Sequence, residues 1–205
     1  TILRPSTPTK LKIHAIVHHL ALHNAPVDVK EVCESVEFVL RTRKRLWGAA
    51  VQQQRKKQQQ QQRKGETNND SVDEEPAPTA TPIQLFDVCC GHGLTGMLFA
   101  CCYGGDGDKS LQVRLVDRQE PPAHATLRNL LQQVCPWIAG NDRIMYCQAD
   151  IQSLTSLTEL TNTMASSGAE PTTPSNNDDH PRIVISTHAC GSLTDRVLVL
   201  AVGAR

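Results

Sequence analysis

The chain has 205 residues, and its 21 Lys plus Arg balance 21 Asp plus Glu, so its formal net charge at pH 7 is zero. That length suits one domain with an appendage, and the charge balance gives no reason to invoke a polyanionic partner or an acidic membrane surface. The eight cysteines include the adjacent pairs Cys89-Cys90 and Cys101-Cys102 but no CxxC spacing, which argues for small buried thiols in a reducing compartment and against a disulfide framework or structural zinc.

No apolar run reaches bilayer-spanning length and no secretory leader is evident, so a soluble cytoplasmic chain is expected, with the nucleus left open. The first residue is Thr1 rather than Met, which reads as a piece of a longer or processed product.

Residues 1–50 read as an N-terminal helical segment. From Leu11 to His23 the apolar residues Ile13, Ile16, Val17 and Leu20 recur at helical spacing, and Asn24-Ala25-Pro26 stops the run. Asp28 followed by Glu31 resembles a capping box, and Val29, Val32, Val36, Val39 and Leu40 form the stripe of a second helix. Such a hairpin is too short to make its own core and must pack on something else. His14 with His18, and His19 with His23, share helix faces at a spacing that can hold a metal, but they lack an acidic or Cys partner, so packing roles and no metal are expected. The basic run Arg41–Arg45, with Arg55, Lys56, Lys57, Arg63 and Lys64 in a glutamine tract, could contact phosphates; the alternative is a solvated helix end. Residues 51–82, rich in Gln, Asn, Glu, Pro and Thr, read as a disordered linker, and residues 166–180 as a second disordered insert.

The remainder, residues 83–205, alternates regularly. Strands are predicted at Ile83–Cys90, Leu111–Asp117, Arg143–Ala149 and Arg182–Thr187, and helices at Leu94–Tyr103, Ala123–Val134, Ser153–Met164 and Leu193–Ala201. This alternation predicts an α/β domain with a doubly wound parallel sheet, and its ligands belong beyond the carboxyl ends of the strands.

Gly91, Gly93 and Gly96 make G-x-G-x-x-G between the first strand and its helix. The first two glycines would let backbone amides approach a ligand, and the third would let helix pack on strand. Asp117 closes the next strand, where a carboxylate can accept hydrogen bonds from ribose hydroxyls of either a nicotinamide dinucleotide or S-adenosylmethionine. Asp87 favours the second, because a carboxylate there attracts an α-ammonium and a sulfonium but repels a pyrophosphate. Asp150 beside Ile151 suits an adenine amine and face, or else caps a following helix.

After the fourth strand comes His188-Ala-Cys-Gly-Ser-Leu-Thr-Asp195. With D-x-x-C-G-x-G in the first loop, this H-A-C-G-x-L-T-D motif resembles the class I S-adenosylmethionine-dependent methyltransferase domain of the methyltransferase-like 25 family and its ribosomal-RNA-adenine-dimethylase-domain-containing relatives, over about residues 83–201. A related motif occurs in tRNA 2′-O-methyltransferases.

The resemblance implies a Rossmann-like methyltransferase fold with S-adenosylmethionine as cofactor. It assigns Asp87, Gly91 and Gly93 to the methionine-binding loop, Asp117 to the ribose and Asp150 to the adenine side. His188, Cys190, Gly191 and Asp195 match the motif facing methyl group and acceptor; His188 and Asp195 are the catalytic candidates. His92 stands where the family often carries Lys. His188 can act as base or orient the acceptor, or simply shape the turn, and Cys190 lacks an orienting third group for nucleophilic work.

The family's sheet has seven strands, whereas four are predicted here, so an unpaired sheet edge is expected. Two functions stay open: a methyltransferase with RNA or a protein as acceptor, and a truncated noncatalytic cofactor-binding or scaffold fragment. An NAD-dependent enzyme is a third reading, without a hydride-transfer constellation to support it.

Overall fold

Four short apolar strands line up in parallel, β1 (Ile83–Val88), β2 (Leu111–Asp117), β3 (Ile144–Gln148) and β4 (Arg182–Ile185), in the order β3-β2-β1-β4. The structure is a computed structural model that describes residues 2–65, 82–104, 111–140, 143–162 and 180–203. β1 is buried along its whole length, as a central parallel strand covered on both faces must be. Its register runs from Ile83 opposite Leu111 to Val88 opposite Val116, and on the other side from Gln84 opposite Arg182 to Asp87 opposite Ile185.

The period-2 alternation of each strand sorts the core into two layers. On one face Leu85, Val113, Leu115 and Ile183 pack against α1 (Thr9–Leu22), α2 (Val29–Gly65), α3 (Leu94–Tyr103) and α4 (Pro122–Val134). On the other, Phe86, Val88, Val116 and Cys147 meet Ile151, Leu154 and Leu157 from the segment after β3, Leu160 from the short α5 (Thr158–Asn162) and Leu200 from α6 (Ser192–Gly203). The doubly wound α/β arrangement expected from the alternation is therefore present. Among the described residues the sheet has four strands, and β4 pairs with β1 alone.

The N-terminal hairpin packs as expected on the α/β layer. Ile13, Ile16, Leu20 and Val39 are buried in the first core. Phe38 meets Phe99 edge-on at 6.5 Å between centroids, Phe99 touches Tyr103 at 5.8 Å, and Tyr103 stacks on Trp47 at 5.2 Å, so an aromatic series ties α3 to α2. Lys12, buried in the same layer, donates from Nζ to the Cys102 carbonyl at 3.2 Å and lies 5.0 Å from the Trp137 ring. These two contacts satisfy a charge that would otherwise be costly there.

Four expectations need correction. The helix expected to give way to a disordered linker at residue 51 continues through Gly65. Gln, Lys and Arg are good helix formers and no Gly or Pro interrupts 49–64, so low sequence complexity does not prevent a helix there. Residues 66–81 of the expected linker and 166–179 of the expected insert lie outside the described residues. Val29 is 80% exposed, because it is the first residue of α2 and precedes the buried stripe. The first strand stops at Val88, since Cys89 adopts a left-handed φ of 57°. The helix expected from Ser153 begins at Thr158: the Asp150 carboxylate accepts from the Gln152 amide at 3.0 Å and the Asp150 carbonyl from that of Ser153 at 3.0 Å, which holds this stretch as a turn.

Phe99, fully buried between the hairpin and the sheet, should be a principal anchor of both. Phe99→Ala is expected to lower unfolding stability by about 3–5 kcal/mol, seen as an earlier urea midpoint followed by Trp fluorescence. A change below about 1 kcal/mol, the scale of a surface substitution, would show that the hairpin does not pack there.

Candidate functional site

In a doubly wound sheet the loops after two adjacent strands diverge where the strand order reverses, and the opening between them is the natural ligand crevice. Here that point lies between β1 and β4. The loop after β1 carries the glycines, the segment after β4 carries Ser186, Thr187 and His188, and the first turns of α2 lie across them. Glu31, Ser35, Phe38, Ser186, Thr187 and His188 line a cleft of about 400 Å³.

The glycine loop is held from all sides by its own chain. Cys89, Gly91 and Gly93 take left-handed φ values of 57°, 56° and 80°. The Gly91 amide donates to Asp117 Oδ2 at 2.8 Å, the Gly93 amide to the Cys90 carbonyl at 2.8 Å, the Leu94 amide to His92 Nδ1 at 3.4 Å and the Gly96 amide to Asp87 Oδ2 at 2.8 Å. From β3, Tyr146 donates its hydroxyl to the Gly91 carbonyl at 2.6 Å, and from α4 His124 Nδ1 reaches the His92 carbonyl at 3.0 Å. A carbonyl only accepts, so Nδ1 carries the His124 ring proton.

The glycines answer partly as expected. A Cβ on Gly96 would fall 2.6 Å from Leu115 Cδ2 and 3.0 Å from Asp87 Oδ2, so this position lets α3 settle onto the strands. A Cβ on Gly93 would fall 2.6 Å from Leu115 Cδ1, and the Gly93 amide is already spent on Cys90. Gly93 therefore serves packing on β2 in addition to its left-handed backbone. Gly91 has open space where its Cβ would stand.

Asp87 is not where the charge argument put it. Its residue exposure is 0% and it points beneath the loop, with Oδ2 bound by Gly96 and Oδ1 unpartnered. Burial, opposed by the Gly96 hydrogen bond and helped by nearby Asp117, pushes its carboxyl up to about 7. A group so enclosed cannot touch a ligand, because the strand pleat turns it toward α3. Asp117 lies at the loop's rim, accepting from Gly91 through Oδ2 and from the Arg118 amide through Oδ1 at 2.7 Å. Each oxygen keeps a lone pair for a further donor.

Asp150 stands near this rim, joined to Arg118 by contacts of 3.2 and 3.1 Å. The Gln152 amide first, and then Arg118, hold its carboxyl below the usual range. Ile151 is buried in the second core cluster and offers no face to an adenine, which corrects that part of the expectation; its carbonyl accepts from Arg196 Nε of α6 at 3.1 Å.

The residue that sequence reasoning missed is Glu31. The Asp28 carboxylate caps the Glu31 amide at 2.7 Å as a capping box requires, but the Glu31 carboxylate turns into the cleft. Its Oε1 lies 2.8 Å from His92 Nε2 and 3.6 Å from His188 Nε2. His92 Nδ1 accepts from Leu94, so Nε2 bears the proton, although its approach to Glu31 is off the line of a hydrogen bond. One carboxylate thus joins imidazoles from two loops. Local patterns around Glu31 mark only a helix start, since its partners come from distant elements.

Asp195 sits exposed in the first turn of α6 and, among the described residues, has no hydrogen-bond or ion-pair partner, so it is not assembled with His188. Cys190 is exposed and unpaired. Arg41 of the basic run pairs with Glu37 at 2.5 Å on open surface, a contact of little energetic weight. Among the described residues no three His, Cys, Asp or Glu gather as metal ligands, and no helix is long and apolar enough to cross a membrane. No family model, curated protein or solved structure matches the chain.

A buried carboxyl whose folded-state value is raised from 3.8 to about 7 stabilises the fold fully below pH 4 and loses that contribution as pH rises through 7, because the folded state binds the extra proton. The fall in urea midpoint between pH 4.5 and 7.5 is therefore expected to be smaller in Asp87→Asn than in the unsubstituted chain. An equal fall in both would show that Asp87 does not carry it.

Proposed function

We propose that the chain is an S-adenosylmethionine-binding methyltransferase domain of Rossmann-like type. The observation that carries this reading is the state of the amides at the start of α3. A dinucleotide places its pyrophosphate on free N–H groups at this helix end, but here Leu94 and Gly96 already donate to His92 and Asp87, and Gly91 to Asp117. A diphosphate would find these donors taken and the carboxylate of Asp117 at the rim. A ligand with an ammonium, a sulfonium and a ribose meets no such conflict, and the paired motifs after β1 and β4 support the same choice.

On this reading Asp117 accepts from the ribose, Asp150 stands on the adenine side, and the backbone around Gly91 borders the methionine portion. Asp87 acts from below, by fixing Gly96 and hence the loop. Bound S-adenosylmethionine supplies a methyl group on an already activated leaving group, which leaves alignment and proton removal to the protein. His188 is the base, its ring held toward the cleft by Glu31. Asp195 favours the positive end of α6 from the surface.

A second reading, noncatalytic cofactor binding, is favoured by one observation: His188 is 41% exposed along its side chain and Asp195 does not approach it. Calorimetry with S-adenosylmethionine and with NAD, together with methyl transfer to total RNA and to total protein, separates the readings. Binding with transfer supports the enzyme, binding without transfer the scaffold, and preferential binding of NAD overturns both. Within the first two, Asp117→Ala should weaken S-adenosylmethionine by about 1–3 kcal/mol, the scale for losing a hydrogen bond to a charged group. Unchanged affinity would remove the ribose assignment.

A further inference from the structure

The acidic groups bordering the cleft between α2 and the segment after β4 are two carboxylates, beside the hydroxyls of Ser35, Ser186 and Thr187 and the imidazole of His188. Glu31, with a side chain 25% exposed, and the more open Glu34 border it as acceptors. Ser186 donates its hydroxyl proton to the Val88 carbonyl at 2.6 Å, so toward the cleft its oxygen can only accept. Phe38 adds an aromatic surface. No Lys or Arg is among the residues lining this cleft; Lys30, one residue before Glu31, pairs with Glu34 at 3.7 Å with its side chain 82% exposed.

A phosphodiester entering here would lie against a carboxylate whose side chain is 25% exposed and find no Lys or Arg in the lining to offset the repulsion. An N–H-bearing cation finds the reverse: the Glu31 charge, the Ser186 lone pairs and an aromatic face that attracts positive charge.

We propose that this cleft is the acceptor subsite and that it takes the cationic amine or guanidine side chain of a protein, held by Glu31 through charge-assisted hydrogen bonds. The proposal rests on the methyltransferase reading and specifies its substrate class. Before its nitrogen can accept a methyl group an ammonium must lose a proton, and His188, 3.6 Å from Glu31, is placed to take it. Glu31 is then a binding residue that the N-terminal hairpin contributes to a site otherwise built by the α/β layer.

The test is amide chemical-shift titration of the full chain with Nα-acetyl-lysine methylamide, Nα-acetyl-arginine methylamide and adenosine monophosphate. Either cation is expected to shift the amides of Ser35, Ser186 and Thr187, and Glu31→Gln to weaken it by about tenfold, the scale of one charge-assisted hydrogen bond. Adenosine monophosphate is expected to leave these amides in place. Shifts by the nucleotide alone would overturn the proposal in favour of an RNA acceptor, and silence from all three probes would also overturn it. If the variant does not fold, added salt should weaken the cation's binding to the unsubstituted chain, and salt-independent binding counts against Glu31. S-adenosylmethionine titrated into the same sample keeps the two ideas apart. Cofactor binding without cation binding removes only this proposal, whereas cation binding without cofactor binding removes the methyltransferase reading.

Discussion

The site depends on one contact in the interior, the 2.8 Å hydrogen bond from the Gly96 amide to Asp87. It joins the carboxyl end of the central strand to the first turn of α3, and only a residue without a side chain permits it, since any Cβ at Gly96 meets Leu115 and Asp87 itself. With strand and helix fixed so closely, the intervening chain must reverse within a few residues, and three left-handed residues in 89–93 accomplish that. The carboxylate is an expensive way to close the turn. Its single bond does not offset complete burial, Oδ1 stays unpartnered, and the charged form is disfavoured until about neutral pH. Stored cost of this kind is more often found at functional sites than in neutral structural turns.

The outer side of the loop is braced with equal economy. Tyr146 and His124 bind the carbonyls of Gly91 and His92, and their rings meet edge to face at 4.8 Å. The carbonyls of Gly91 and His92 are therefore satisfied, and the side chains that border the loop are Asp117 on the β2 side, His188 on the β4 side and Glu31 above. The last of these depends on the hairpin, whose position is set by the aromatic contacts of Phe38, Phe99, Tyr103 and Trp47. Packing between hairpin and sheet and the polarity of the cleft are thus parts of one arrangement.

The sheet and its helices were legible because apolar runs and glycine punctuation report on local backbone and burial, which a single chain pattern records. β2 and α3 fall at their expected bounds, and the other elements within a few residues, except α2, which runs on by propensity through Gly65, and α5, whose start is delayed by the Asp150 turn. The glutamine tract was misjudged because composition measures the apolar surface available for burial, whereas a helix that extends a packed one needs only propensity. The direction of a polar side chain was harder to read. Asp87 and Asp117 both end strands, yet the pleat sends one beneath the loop and leaves the other at its rim. Glu31 was legible as a cap partner and not as a site residue, because that role comes from elements the chain reaches much later.

These placements give the region a consistent polarity. Inside, donors are consumed: Gly91, Leu94 and Gly96 amides are all taken by side chains of the same loop neighbourhood. Outside, acceptors remain: Asp117 at the β2 end, Ser186 and Glu31 at the β4 end. The charged acceptors that border this region are carboxylates, and they favour ligands carrying hydrogens and positive charge, since an anion there adds repulsion. The same logic reaches both halves of the crevice. It disfavours a pyrophosphate beside the glycine loop and a phosphodiester in the cleft. On the proposed reading a cationic cofactor and a cationic acceptor would repel each other, and the Glu31 carboxylate, 2.8 Å from His92 and 3.6 Å from His188, would be the counter-charge between them.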